Sequence, residues 1–237
     1  MKTLKVQKQF SFSQDIAIAD IKRAAKEQAK KHDIRVTFND VLITAVSKSL
    51  KELLSEDLGD SKTDSLTLTC PFSLRPAPRF VDDFLFNNDF SILPLDLRLI
   101  SNLDQIKQIN ADMNVAKQSF LPIGYFYLTL VVMQLPEFLR AFLLEDFCDK
   151  MTIGFSNVPG PTYPYITNGA KCKVLGFIMP VGKSIGSSIS MISHGETVKI
   201  GVSADRNVLK SPRMLLDRIE SNLDLLLGKE WRNYKAK

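Results

Sequence analysis

The sequence is poor in histidine and cysteine and has no long apolar run. Two histidines, His32 and His194, occur in 237 residues. Neither stands at catalytic spacing from a nucleophile, an acid or a metal-binding partner, so the chain carries no complete active site of its own. Three cysteines, Cys70, Cys148 and Cys172, are odd in number, far apart and without a C-x-x-C pair. That pattern excludes a disulfide framework and a zinc site and points to a reducing compartment. The most apolar stretch, Phe120 to Leu135, is interrupted by Pro122, Gly124 and Gln134. It is shorter than the roughly 20 apolar residues of a membrane span. It reads as a buried or interfacial helix, with membrane association left open. The N-terminal MKTLKVQKQF lacks the apolar core of a signal peptide. Internal repeats and low-complexity tracts are absent.

What is present is the composition of a globular domain. Apolar residues make up 45% of the chain, enough for a sizeable core. The net charge of +5 can come wholly from the segment before Val36, where nine Lys/Arg face four Asp/Glu. Charge so local reads as a solvated helix face. Interleaved aromatics are missing, which excludes a nucleic-acid partner.

Helix and strand patterns alternate along the chain. Phe10 to Ile18 reads as a short extended stretch and Asp20 to Lys31 as a basic, alanine-rich helix, with His32 at its end where a positive side chain suits the dipole. Thr37-Phe38-Asn39-Asp40 has the form of a capping box: a threonine cap with an acid as its third neighbour. The helix it opens puts Leu42, Val46, Leu50, Leu53 and Leu54 on one face. Leu66 to Leu74 alternates as a half-buried strand, and Pro71 places it near an edge or bulge. Arg75 to Asn88 is a loop and Phe90 to Leu97 a second strand. Ser101 to Asp104 is a second capping box, before a helix faced by Leu103, Ile106, Asn110 and Met113. Helices are expected over Ile123 to Gln134 and Pro136 to Asp149, with Pro136 in the first turn. Strands follow over Thr152 to Val158, Lys173 to Met179, Ile185 to Ser193 and Thr197 to Asp205. His194-Gly195-Glu196 forms the last hairpin, with His194 exposed in the turn. Ser211 and Pro212 open a final helix lined by Leu215, Ile219, Leu223 and Leu226 and stopped by Gly228. The fold class is α/β, a mixed-sheet sandwich. It forms a single domain over residues 1–237, with its core from about 10 to 227 and a basic tail over 228–237.

Few constellations carry chemistry. Gly182-Lys183-Ser184 has the form of the end of a phosphate-binding loop. The nearest glycine, Gly176, leaves five residues between where that loop needs four, and Pro180 removes an amide. The acid pairs Asp82-Asp83 and Glu145-Asp146 diverge on either a strand or a helix. Two motifs are only partly explained by local structure: Asn39-Asp40, and Ser156-Asn157-Val158-Pro159-Gly160-Pro161. Capping alone can account for Asp40. A strand ended by a rigid Pro-Gly-Pro turn, presenting Asn157 at the sheet edge, can account for the second.

Taken in order, Thr37-x-Asn39-Asp40-Val41, Pro71-x-Ser73-Leu74-Arg75, Asn88-x-Phe90, Leu93-Pro94-Leu95, the Ser156 to Pro161 block and Gly201 to Asp205 resemble one family. It is the C-terminal half of the bifunctional wax ester synthase/diacylglycerol acyltransferases, and the resemblance runs from about residue 10 to 227. It implies one half of a fold similar to chloramphenicol acetyltransferase, in which two α/β halves enclose a tunnel. Acyl-CoA enters as a substrate, with no cofactor, and a long-chain alcohol or diacylglycerol accepts the acyl group. The family's H-H-x-x-x-D-G motif, whose second histidine is the general base, belongs to the N-terminal half and does not occur here. The chain is therefore expected to be inactive alone and to need a histidine-bearing half or partner chain. The resemblance also implies that Asn39, Asp40, Ser156, Asn157, Pro159, Gly160 and Pro161 lie at the tunnel or the half–half interface. No catalytic residue is carried over. The apolar helices would line the tunnel or lie against a membrane or lipid droplet. The expected location is intracellular, either cytoplasmic or peripheral to the endoplasmic reticulum or a lipid droplet. The alternative reading is a non-catalytic lipid-binding or scaffold subunit derived from the same fold.

Overall fold

The computed structural model describes residues 7–57, 59, 62–75, 89–163, 166–172, 175–181 and 185–233. Most of the loop expected after Arg75, and Gly182-Lys183-Ser184, lie outside these residues. The extended N-terminal stretch resolves into two short strands, β1 (Lys8–Phe12) and β2 (Ile16–Ala17). Helix α1 (Ile18–His32) buries Ile21, Ala24 and Ala25 and stops at Asp33, which takes left-handed backbone. Helix α2 (Phe38–Glu52) starts at the predicted Thr37 box, with both reciprocal bonds formed. Its residues 40–47 are all buried, so α2 is the central helix of the fold.

Strands β3 (Ser65–Ser73) and β4 (Phe90–Arg98) follow, then helices α3 (Ile106–Gln118), α4 (Leu121–Met133) and α5 (Glu137–Asp149). Strand β5 (Ile153–Val158) precedes a small hairpin of β6 (Ile166–Thr167) and β7 (Ala170–Lys171). Strands β8 (Ser187–His194) and β9 (Thr197–Asp205) form the last hairpin, and α6 (Pro212–Leu227) follows its Ser211 cap. The main sheet runs β1-β9-β8-β5-β3-β4, with β2 also paired to β9. Strands β3, β5 and β8 are mutually parallel neighbours and the other pairs are antiparallel. The sheet is therefore mixed, as expected. Strand β3 is an inner strand, but it pairs with β5 only at Leu68 and Thr69. Pro71 stands beyond that stretch, where a missing amide is tolerated.

Alternation along the strands gives the sheet two unlike faces. Leu68, Leu97, Ile153, Phe155, Ile189, Met191, Ile200 and Val202 face the helices and form one core with α1, α2, α3 and α6. The other face carries small and polar residues, and the segment 175–181 lies on it. The Ser188 and Ser203 hydroxyls both lie within hydrogen-bond reach of the Met179 carbonyl, and Ser190 donates to the Phe177 carbonyl at 2.6 Å. A Cβ at Gly201 would sit 2.9 Å from that same Phe177 oxygen. Only glycine lets the segment come this close.

Several expectations are corrected. The described part of Lys173 to Met179 is not a strand. Serine hydroxyls take its carbonyls, which a neighbouring strand would otherwise engage. The second capping box is shifted by one residue. Asn102 accepts from the Asp104 amide, and the Gln105 side chain reaches back to the Ser101 and Asn102 amides. Pro136 is the cap of α5, not its first helical residue. Of the two readings of Phe120 to Leu135, buried or interfacial, the buried one is ruled out: the one buried residue of α4 is Pro122. His194 is not exposed in the turn. It is the last residue of β8, pairs with Thr197, and is only 7% exposed. The core also runs beyond residue 227. Trp231 is fully buried, donates to Asp224 at 2.8 Å, and carries the Arg232 guanidinium 5.2 Å above its ring.

Candidate functional site

The N-terminus of α2 stands where β5 ends. Because β5, β3 and β8 run parallel, their carboxyl ends lie on the same side of the sheet, the usual place for a ligand crevice in open α/β sheets. Residues alternate along β5, so Ile153, Phe155 and Asn157 face the helices. Asn157 thereby reaches α2, and its Nδ2 donates to Asn39 Oδ1 at 2.7 Å. This bond joins the two motifs that local structure left partly unexplained.

Asp40 points the other way, into the protein, and is fully buried. Its Oδ2 accepts from the Thr37 amide at 2.7 Å and from Asn110 Nδ2 at 2.8 Å. Asn110 also donates to the Arg35 carbonyl at 2.9 Å. The Asp40 Oδ1 is buried without a hydrogen-bond partner. Asp40 therefore does more than cap α2: through Asn110 it fastens α3 to the turn before α2. Asn110 is the residue that sequence reasoning placed without seeing its role. The signal was an asparagine in an otherwise apolar helix stripe, because a polar group buried there needs partners.

The rest of the second motif ties β5 to the β8–β9 hairpin. Ser156 is buried on the face away from α2. Pro159 and Pro161 are exposed, with half-buried Gly160 between them. The Gly160 amide donates to Ser193 Oγ at 3.0 Å, and the Pro161 carbonyl accepts from the Gly195 amide at 2.9 Å. A Cβ on Gly160 would overlap the Ser193 carbonyl oxygen. The predicted residues thus divide into two groups. Asn39, Asp40 and Asn157 meet at the start of α2, whereas Ser156, Pro159, Gly160 and Pro161 build the turn that fixes the end of β5.

This arrangement positions and hydrogen-bonds; it has no nucleophile with a base. Among the described residues neither imidazole is hydrogen-bonded, and the Nε2 atoms of His32 and His194 are buried without partners. No group of three His, Cys, Asp or Glu side chains among the described residues could hold a metal. Burial pushes the Cys70 thiol up to about 12, so it is no activated nucleophile.

A family model described as the WS/DGAT C-terminal domain matches residues 87–227. The chain belongs to that family. Its membership covers β4 through α6, including the whole Ser156 to Pro161 block. O-acyltransferase WSD of Acinetobacter baylyi is 27% identical over 212 residues, which are 82% of this chain and 42% of that protein. "Probable diacyglycerol O-acyltransferase tgs1" of Mycobacterium tuberculosis is 23% identical over 226 residues, 89% of this chain and 48% of its own length. The solved wax ester synthase/diacylglycerol acyltransferase of Marinobacter aquaeolei VT8 superposes with a TM-score of 0.61 at 19% identity, over 94% of this chain and 49% of that one. The fold is shared, and this WS/DGAT chain spans about half the length of the relatives it matches.

Proposed function

We propose that the chain is the C-terminal half of an O-acyltransferase. It would act with a half that bears the histidine base, moving a fatty acyl group from acyl-CoA to the hydroxyl of a long-chain alcohol or diacylglycerol. The observation that carries this reading is the Asn157–Asn39 hydrogen bond. It joins the two blocks on which the family resemblance rests most specifically, at the carboxyl end of the parallel strands. The relatives' names, acyltransferases of about twice this length, agree with it.

A hydroxyl is a weak nucleophile, and a base near neutral pKa makes proton removal concerted with its attack on the thioester carbonyl. The CoA thiolate then leaves and is protonated. His194 is buried and His32 half-buried, each with an Nε2 that has no hydrogen-bond partner among the described residues, so the base would come from the other half. The contribution of this half is positional. Asp40 and Asn110 hold the first turn of α2, Asn39 and Asn157 fix that turn against β5, and the Pro159-Gly160-Pro161 turn fixes the rim. Asn39, Asp40, Ser156, Asn157, Pro159, Gly160 and Pro161, with Asn110, would lie along the tunnel or the half–half boundary. Acyl-CoA is a substrate here and no cofactor is called for. The reading puts the chain inside the cell, in the cytoplasm or at the surface of the endoplasmic reticulum or a lipid droplet, where such substrates meet.

The uncovered apolar surface of α4 and α5 favours a second reading, a non-catalytic lipid-binding subunit of the same descent. Assay of the purified chain with palmitoyl-CoA and a long-chain alcohol tests the first. No ester above background is expected from the chain alone, and clear turnover would mean that it carries its own base.

A further inference from the structure

Past α6 the chain folds back on itself. At Gly228 the backbone takes φ 78°, left-handed geometry that favours glycine, and a short turn of helix, Lys229–Asn233, follows. Trp231 is its plug: the ring is fully buried, in one core cluster with Ile16 of β2. Asp224 of α6 holds this plug and the residue after it. Its Oδ1 accepts from the Trp231 indole N–H at 2.8 Å and from Arg232 Nε at 2.7 Å, and its Oδ2 accepts from Arg232 Nη2 at 2.8 Å. A guanidinium bonded through two nitrogens to one carboxylate is fixed in direction as well as in distance.

That direction leads to the beginning of the chain. Arg232 Nη1 lies 3.9 Å from the carboxylate of Glu220, a residue only 1% exposed. Glu220 accepts from Arg213 Nη2 at 2.7 Å and from the Gln14 amide at 3.3 Å, and Arg213 Nη1 donates to the Phe12 carbonyl at 3.3 Å. Arg23 of α1 donates to the Leu227 carbonyl at 2.9 Å. Gln14 and Glu220 are 206 positions apart, yet the corner between β1 and β2 and the turn after α6 share one set of charges. Removing one partner of a buried carboxylate is strongly destabilising, so neither segment leaves without unsettling the other. The span matched by the family model, 87–227, contains neither.

We infer that residues 12–18 and 229–233 are one conformational unit, a latch that opens and closes as a whole and guards the edge of the sheet. Closed, it holds β1 and β2 along β9. The Ser13 amide donates to the Ile200 carbonyl at 2.8 Å, and the Ile18 amide to the Glu196 carbonyl at 2.9 Å. Open, it bares the backbone groups of β9, and an unpaired strand edge invites pairing with another chain. The latch is fastened by a few polar contacts, whereas β8 has a paired strand on each side, so the latch opens at a lower free energy than the whole fold. This inference does not rest on the acyl-transfer reading.

Amide hydrogen exchange of the full chain, followed by NMR, tests it. Arg232→Ala unfastens the latch, and Asp224→Asn does so from the other side of the same pair. Each is expected to speed exchange at Ser13, Ile18 and the Trp231 indole by one common factor of at least about tenfold, the effect of losing a charged hydrogen-bonded pair, with the β8 amides unchanged. Arg232→Lys, which keeps the charge but not the planar fork, should recover only part of the protection. Both unfastened variants should also associate, read as increased light scattering at equal concentration. Faster exchange at Trp231 alone would make the turn a local plug and overturn the inference. Equal acceleration throughout the sheet, or none at Ser13 and Ile18, would overturn it too. Variants that open the corner yet stay monomeric would refute the guarding role.

Discussion

Replacing Asp40 with alanine removes one carboxylate and leaves two donors to be satisfied. The Thr37 amide loses its 2.7 Å bond, and the Asn110 amide loses one of its two acceptors. Loss of the cap interaction costs about 1 kcal/mol. A buried donor left short of a partner adds about 1–3 kcal/mol. One term offsets these: Asp40 Oδ1 is buried with no hydrogen-bond partner, and deletion relieves the cost of keeping it from water. The net expectation is a destabilisation of about 2 kcal/mol, larger than a surface cap would give, because Asp40 also binds α3 through Asn110. For a chain of this length each kcal/mol lowers the melting midpoint by about 2–4 °C, so a fall of roughly 4–8 °C is expected. Thermal melting followed by circular dichroism reads it directly. Asn110→Ala in the same background should add less than its effect alone, because the two side chains share one bond. A midpoint unmoved by Asp40→Ala, or full additivity with Asn110→Ala, would refute the idea that this carboxylate couples α2 to α3.

Other outcomes follow from the same contacts. Gly160→Ala forces a methyl group into the Ser193 carbonyl and should destabilise by about 1–3 kcal/mol, an overpacking cost; a neutral result in a urea melt would mean that the turn does not rest on β8. Asn39→Ala and Asn157→Ala should show a coupling of about 0.5–1.5 kcal/mol in a double-mutant cycle, the net worth of one hydrogen bond, and zero coupling would remove the link between the two motifs. The Cys70 thiol, raised by burial from 9.0 to about 12, should react more slowly with thiol reagents at pH 8 than Cys148 and Cys172. Between those two values the unfolded chain has lost the proton that the folded chain keeps. Stability from this group therefore falls as pH rises from about 9 toward 12, and an unfolding midpoint constant across that range in a Cys70→Ser comparison would contradict the shift.

Much of the fold is written in local pattern. The Thr37 and Ser211 caps, the stripe of Leu42, Val46 and Leu50, and the alternation of β8 and β9 are periodic signals, and each lies where the sequence places it. Long-range contacts leave weaker traces. Asn39 and Asn157 are 118 positions apart, and nothing in either neighbourhood names the other. Asn110 does leave a trace, a carboxamide among apolar residues, but its acceptor belongs to another helix. Segment 175–181 looks like a strand because it is apolar, and fails to be one because three serines of the sheet hold its backbone. Helix α4 reads as either buried or interfacial for a similar reason: hydropathy reports how apolar a segment is, and not what covers it. Trp231 stands behind a glycine stop and among basic residues, outside any periodic pattern, yet its ring is fully buried and its indole N–H donates to Asp224.

The central claim is that this chain supplies position and another half supplies the base. Its most direct test is reconstitution: ester formed from palmitoyl-CoA and a long-chain alcohol is counted with this chain, with a separately made half bearing H-H-x-x-x-D-G, and with the two together. Ester is expected only from the mixture, with a loss when Asn157→Ala replaces the native chain. Turnover by this chain alone, or none from a pair that co-elutes as a complex, would contradict the account.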